Sequence, residues 1–284
     1  MTLWFLLAAA SAIIFGLATF CFKVNAFKGW PLLPFFAGVY ASGTAGFAVT
    51  AYVENALYLS AVILLSGMIV GIGSTFGNLL FMRALEYGPA SLTSPLVNTN
   101  ILLIVLMSVI VYAESPGAIE YAGIFLIVAA VSLLPLDPRE KLSIPNRIWY
   151  IFVFAATALF FLRNGGLKVT EELALPNTTI LLVGYAVGLL WSLQALLRSP
   201  QRNSPCRLKS FQFGLGAGLF SFAGMQLYAW ALQSGPASIV SPVFSTNSLV
   251  VALLSVLYLR ERLTRMQTIA LAIVCIGIIL LQMN

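Results

Sequence analysis

Long apolar runs, interrupted by charges, proline or glycine, organise this chain from end to end. Runs such as Ile101–Met107 do not alternate polar and apolar positions, as the strands of a membrane barrel do. In hydrocarbon each backbone N–H and C=O needs a partner inside its own segment, and a helix supplies it. The pattern therefore predicts ten spanning helices: residues 3–23, 31–52, 58–84, 90–112, 117–135, 148–168, 178–197, 211–233, 237–259 and 265–283. The first run lacks a preceding basic stretch and outlasts a signal-peptide core, so it is expected to remain as a span. A polar linker at 137–147, with Asp137, Pro138, Arg139, Glu140, Lys141 and Pro145, separates residues 1–136 from 148–284.

The two parts repeat one another. Residues 84–100 read ALEYGPASLTSPLVNTN and residues 231–247 read ALQSGPASIVSPVFSTN, identical at ten of seventeen positions at an offset of 147. The register carries on through Ser108 and Ser255, Val109 and Val256, and Glu114 and Glu261. Lys23 stands opposite Lys168 at an offset of 145. Five spans per half make the halves enter the membrane in opposite directions, the inverted repeat found in many transporters. Duplication of a stable helical unit is the plainer alternative.

Composition narrows the class. Of 284 residues, 15 are Lys or Arg and 9 are Asp or Glu, while 60% are hydrophobic. Folded soluble domains need a mostly polar exterior, so a soluble enzyme, a disordered chain and a disulfide scaffold are excluded. The basic residues sit in short loops, which argues against a nucleic-acid partner. Cys21, Cys206 and Cys275 are scattered and histidine is absent, so neither a metal site nor a cofactor is expected. Loops after spans 1, 3, 5, 7 and 9 hold 13 of the 15 basic residues. The positive-inside rule puts that side in the cytoplasm and both termini outside, in a multi-pass cell-membrane protein (the inner membrane, if bacterial).

The GPAS-x2-SP stretch, with an apolar span ending in Glu114 or Glu261, resembles the drug/metabolite transporter superfamily, in its ten-span EamA type. Phe15-Gly16 followed by Lys23 looks like that family's opening motif, and Ala84-Leu85 and Ala231-Leu232 match its turn before each small-residue stretch. The resemblance implies a five-plus-five helical bundle around a central cavity, working by alternating access. It leaves the substrate open among amino acids, amines, nucleobases, sugars and sugar conjugates.

Polar groups inside spans are costly and tend to face a cavity or the bundle interior. The candidates for substrate binding are Asn78, Ser94, Asn98, Asn100, Arg163, Asn164, Gln226, Tyr228, Trp230, Ser245 and Asn247. Arg163 is either an anchor for a carboxylate or phosphate, or an arginine that snorkels to nearby headgroups. Pro95 and Pro242 remove a backbone donor each, so a kink is expected at both Ser-Pro steps. The asparagines serve equally well as interhelical hydrogen-bond partners. Gly71, Gly73, Gly77, Gly214, Gly216, Gly218 and Gly224 are expected to pack helices closely. Trp4, Trp149, Trp191, Tyr150 and Tyr185 are expected in interfacial belts, and Lys23 and Lys168 at the interface. Glu114 and Glu261 are expected as interfacial anchors, with a gate to a base of the other half as the sharper alternative.

All nine acids fall at span ends or in loops. General acid–base catalysis and proton relays need placed titratable groups, so neither an enzyme nor carboxylate-coupled antiport is expected. The small four-span relatives carry a glutamate in their first span, and this chain has none there. The expected function is secondary transport of a small polar metabolite, an amino acid or related compound, with export favoured. A flippase for a lipid or lipid-linked head group is the alternative. The partners are the substrate and the bilayer, and the chain is expected as a monomer or homodimer.

Overall fold

The computed structural model describes residues 2–88, 93, 96–133, 147–259 and 264–281, and all regular structure among them is helical. The helices are α1 (Leu3–Phe27), α2 (Leu32–Val53), α3 (Ala61–Tyr87), α4 (Asn100–Ile110), α5 (Ala118–Leu133) and α6 (Ile148–Glu172). They continue as α7 (Asn177–Arg198), α8 (Arg207–Ser234), α9 (Ala237–Ser245), α10 (Asn247–Leu259) and α11 (Arg265–Leu280). Seven stretches are long and apolar enough to cross a membrane: α1, α2, α3, α6, α7, α8 and the continuous α9–α10 stretch, Ala237–Leu259. Three apolar helices are shorter, Leu96–Ile110, Ala118–Leu133 and Arg265–Leu280, and the first two border residues outside the described set. Large apolar side chains such as Ile110, Phe125, Ile151 and Leu257 stand exposed on the outer surface, where lipid solvates them.

The helix bounds repeat. Leu3–Phe27 and Ile148–Glu172 are offset by 145 at both ends, as are Leu32–Val53 and Asn177–Arg198. From the end of the third helix the offset is 147: Tyr87 with Ser234, and Ala118–Leu133 with Arg265–Leu280. Local chemistry sets these limits. Pro31 and Pro176 precede α2 and α7, where a missing N–H costs nothing. Thr264 and Gln267 form a reciprocal capping box at the start of α11. Gly88 and Gly235 end α3 and α8 in extended conformation. A Cβ on Gly235 would sit 2.7 Å from the Trp4 ring, and one on Gly88 would run into Trp149. Trp4 and Trp149 are themselves offset by 145, so each half seats its first tryptophan on the other half's glycine.

Packing is mainly between halves. Helices α1 and α2 lie on α8, α3 on α6 and α7, α2 on α7, and α5 on α11. The α1–α8 and α6–α3 pairs are equivalents under exchange of halves. Close approach depends on glycine. A Cβ on Gly71 would meet the Gly184 backbone at 2.7 Å, and Gly214 lies against the Phe35 carbonyl. Gly73, Gly77, Gly218 and Gly224 also abut a neighbouring helix, whereas nothing lies within 4 Å of a Cβ on Gly216.

Several expectations change. Trp149 is 1% exposed and donates through Nε1 to Thr93 Oγ1 at 2.9 Å, so it is a core residue and not part of a belt. Tyr185, 5% exposed, is likewise inside. Helices α1 and α6 each run one turn beyond the expected spans, placing Lys23 and Lys168 within them. Lys168 is buried because Glu114 and Glu172 neutralise it there. Pro242 stays inside α9, and the break falls at Thr246, four residues on. Pro95 and Ser94 lie outside the described residues.

Candidate functional site

The repeated NTN and STN segments build the middle of the molecule. Helical geometry breaks at Thr99 and at Thr246, offset by 147. At each break the backbone N–H turns back to the third residue before it, Thr99 to Leu96 at 3.2 Å and Thr246 to Val243 at 3.1 Å. Side chains take carbonyls that the helical ladder releases. Thr99 and Thr246 hydroxyls donate to Leu96 and Val243 at 2.6 and 2.7 Å. Asn100 and Asn247 amides donate to Val97 and Phe244 at 2.7 and 2.8 Å. Ser245 adds a bond to the Pro242 carbonyl at 2.6 Å. Such back-bonding competes with the ladder, which is why the break follows the Thr-Asn pair and not the proline.

These segments face a cavity of about 1270 Å³. Its wall is arranged in repeat-related pairs: Phe15 and Phe160, Thr19 and Asn164, Tyr40 and Tyr185, Ser74 and Ser221, Asn98 and Ser245, Asn100 and Asn247. Asn78, Arg163, Tyr228 and Ser241 complete its polar groups near the middle. Tyr185 and Ser221 hydroxyls lie 2.6 Å apart, and those of Tyr228 and Ser241 2.9 Å apart. The structure thus gathers Asn78, Asn98, Asn100, Arg163, Asn164, Tyr228, Ser245 and Asn247 on one wall. Gln226 and Trp230 stand off it. The Gln226 amide donates to Thr178 at 2.9 Å in the α7–α8 packing, and the Trp230 ring donates to Glu54 at 3.1 Å. Sequence reasoning missed Tyr40, Ser74, Tyr185 and Ser221, whose signal was their pairing at the repeat offsets.

The cavity reaches one end of the bundle only. Its wall includes Lys23 and Ala26 of α1, Leu85 of α3, and Thr264 and Gln267 at α11, all beside the basic loops. Toward the opposite end it stops at Val70, Leu181, Tyr228 and Ser241. Beyond them Glu114 closes the structure. Its Oε1 accepts from Lys168 at 2.9 Å and from the Ala237 N–H at 2.9 Å, and its Oε2 accepts from the Ser238 N–H at 2.8 Å. A carboxylate is well placed at the N-terminus of α9, where free N–H groups and the helix dipole favour negative charge. Burial pushes the Glu114 carboxyl up, but bonds from Ser238, Lys168 and Ala237 hold it below the usual carboxylate range. This Glu114 joins the first half to two helices of the second, pairing with a base of the other half as the sharper alternative expected. Its counterpart Glu261 lies outside the described residues.

Arg163 sits in the cavity wall at 9% exposure, with Nε donating to Asn164 Oδ1 at 2.9 Å. Its guanidinium lies 4.9 Å from the Phe160 ring centre and 5.6 Å from that of Phe15. No group of three metal-ligating side chains occurs among the described residues.

Comparison with known proteins adds three findings. The EamA-like transporter family matches residues 2–136 and again residues 147–283. An uncharacterized protein of Methanocaldococcus jannaschii is 43% identical over 61 residues, covering 22% of this chain and 44% of that relative's length. A solved crystal structure of a protein superposes at a TM-score of 0.77 with 17% identity, over 98% of this chain and 95% of the other. That last likeness is one of fold.

Proposed function

We propose that this chain, which belongs to the EamA-like transporter family, carries a small polar metabolite across the membrane by alternating access. An amino acid or related compound is the starting class, and export is the favoured direction. Ten spans, as two five-span repeats in opposite orientation, form the carrier. The observation that carries this reading is the polar cavity, open beside the basic loops and closed beyond Ser241 by Glu114 and Lys168. Exchanging the roles of the two halves would open the other side, because the breaks at Thr99 and Thr246 are built alike. The positive-inside rule places the basic end in the cytoplasm and both termini outside, so the cavity loads from within the cell.

The substrate is held by Asn78, Ser94, Asn98, Asn100, Arg163, Asn164, Tyr228, Ser245 and Asn247. Coupling uses no membrane-embedded carboxylate, so transport is facilitated diffusion or exchange. Counterflow in proteoliposomes tests this with a labelled panel of amino acids, nucleobases and sugars. Saturable uptake of at least one compound, unchanged by a pH gradient, supports the reading. Absence of flux with rapid scrambling of a fluorescent lipid overturns it in favour of a flippase.

A further inference from the structure

Most of the cavity wall obeys the repeat, and one charged group departs from it. At the 145-residue offset that relates α1 to α6, Phe15 pairs with Phe160 and Lys23 with Lys168. Arg163 pairs with Ala18, a residue 1% exposed and absent from the wall. The fold therefore does not need a cation at this depth, since the other half closes its equivalent helix around a methyl group. A buried charge is retained where something compensates it.

The protein offers little compensation. Asn164 Oδ1 accepts a hydrogen bond from Nε–H, and the guanidinium lies over the rings of Phe160 and Phe15. Among the described residues no carboxylate lines the cavity and no acceptor meets the two terminal nitrogens of Arg163. Three phenols, Tyr185, Tyr40 and Tyr228, line the same cavity as Arg163. Two of these are committed to Ser221 and Ser241, but the Tyr40 hydroxyl, in a side chain 2% exposed, has no hydrogen-bond partner. One fork of guanidinium donors and one spare hydroxyl match the oxygens of a single carboxylate.

We propose that the cargo is a monoanionic carboxylate with a flat apolar body, held at its charged end by Arg163 and Tyr40. This rests on the transport reading and narrows its substrate class. A planar body fits between the aromatic faces that line the cavity, which at about 1270 Å³ has room for more than one ring. An ammonium group on the cargo would meet only neutral oxygens on the described wall, alongside a fixed positive charge. A zwitterion or an amine is therefore disfavoured relative to the anion of the same skeleton.

The test uses the purified full chain in proteoliposomes, with phenylpyruvate, phenylalanine and phenylalaninol as anion, zwitterion and amine of one skeleton, corrected for protein-free vesicles. Loss of a charge-assisted hydrogen bond predicts roughly 10- to 100-fold discrimination. Phenylpyruvate flux should exceed the other two by that margin. Arg163→Gln should abolish the margin, and Tyr40→Phe should narrow it several-fold. Arg163→Lys should keep part of it, and this variant stands in if Arg163→Gln is not monodisperse. Phenylpyruvate should raise the melting temperature of the wild type and not that of Arg163→Gln. Equal flux of all three compounds, or a margin that survives Arg163→Gln, overturns the proposal while leaving transport intact. Flux of neutral panel members without phenylpyruvate flux does the same, whereas no flux of any compound overturns both.

Discussion

Replacing Glu114 by glutamine should open the closed end of the cavity. The carboxylate makes three bonds across the halves, to Lys168 and to the N–H groups of Ala237 and Ser238, with side-chain exposures of 11% for Glu114 and 7% for Lys168. The amide keeps one acceptor oxygen and places an NH2 against donors. Removing one partner of a buried ion pair costs about 3–5 kcal/mol. Lys168 keeps Glu172, so a loss of about 2–4 kcal/mol for the closed end is expected. At 1.4 kcal/mol per tenfold, the opening equilibrium rises by about 30- to 700-fold. A reporter is available at Leu181, which is 1% exposed and lines the closed end of the cavity. In a background lacking Cys21, Cys206 and Cys275, Leu181→Cys should react slowly with an impermeant thiol reagent added from the Glu114 side. Glu114→Gln should speed that reaction until opening no longer limits it, and Lys168→Met should act in the same direction. Unchanged labelling in both variants would refute the gate. The pH dependence follows from the sign of the shift. The folded pKa of Glu114 lies below its ordinary value, so its contribution to closure is complete above that value. It is lost only as pH falls through the lower folded value. Labelling should therefore be flat from neutral pH down to the usual carboxylate range and rise only below it.

Three further outcomes separate packing from binding. Gly214→Ala drives a methyl into the Phe35 carbonyl and should lower stability in detergent by about 1–3 kcal/mol, while Gly216→Ala meets nothing within 4 Å and should be neutral or gain up to about 1 kcal/mol, both read by thermal unfolding. Tyr185→Phe removes the 2.6 Å bond to Ser221 from the cavity wall and should cost about 1 kcal/mol of stability along with a loss of substrate affinity. Trp230→Phe loses only a bond to Glu54 outside the wall, so transport should stay within about twofold of wild type, and a larger loss would return Trp230 to the site.

How much was legible follows from what lipid tolerates. The GPAS-x2-SP stretches stood out because turns and helix starts fix residue type: Gly88 and Gly235 must each admit a tryptophan ring. The 145-residue register of the first two helices was nearly hidden. Residues facing lipid interchange freely, so Leu3–Phe27 and Ile148–Glu172 share both bounds but only six scattered identities, among them Trp4 with Trp149, Phe15 with Phe160 and Lys23 with Lys168. Tyr185 read as an interfacial residue because tyrosine favours that layer. Its inward place comes from α2 packing on α7, where Gly43 lets the ring lie flat, and only its pairing with Tyr40 carried that information. Lys168 read as interfacial because it stands at the end of its expected span; its partner Glu172 is visible four residues on, but Glu114 reaches it from the other half across more than fifty residues.

The same repeat that made the fold legible also sorts its polar residues. Thr99, Asn100, Thr246 and Asn247 are duplicated and bonded to their own backbone, so their first duty is to shape two breaks. In the proposed alternating access a moving break must satisfy its backbone in both positions, and side chains bonded within the break would do this in each. Specificity has to come from positions where the halves differ, because a symmetric cavity presents the same surface twice. Arg163 against Ala18 is the largest such difference in charge, and Asn78 against Met225 and Tyr228 against Phe81 are differences in hydrogen bonding. All three face the cavity on its polar side of the pair, which makes exchange of these pairs the sharpest probe of substrate choice. Exchanging one such pair, as Asn78→Met with Met225→Asn, preserves composition and charge, yet moves a hydrogen-bonding group to the other half's side of the cavity, because both positions line it. If the repeat builds the carrier and the asymmetry selects the cargo, that double variant should fold and lose the substrate preference of the wild type. Retention of the preference would assign selection to the shared residues instead.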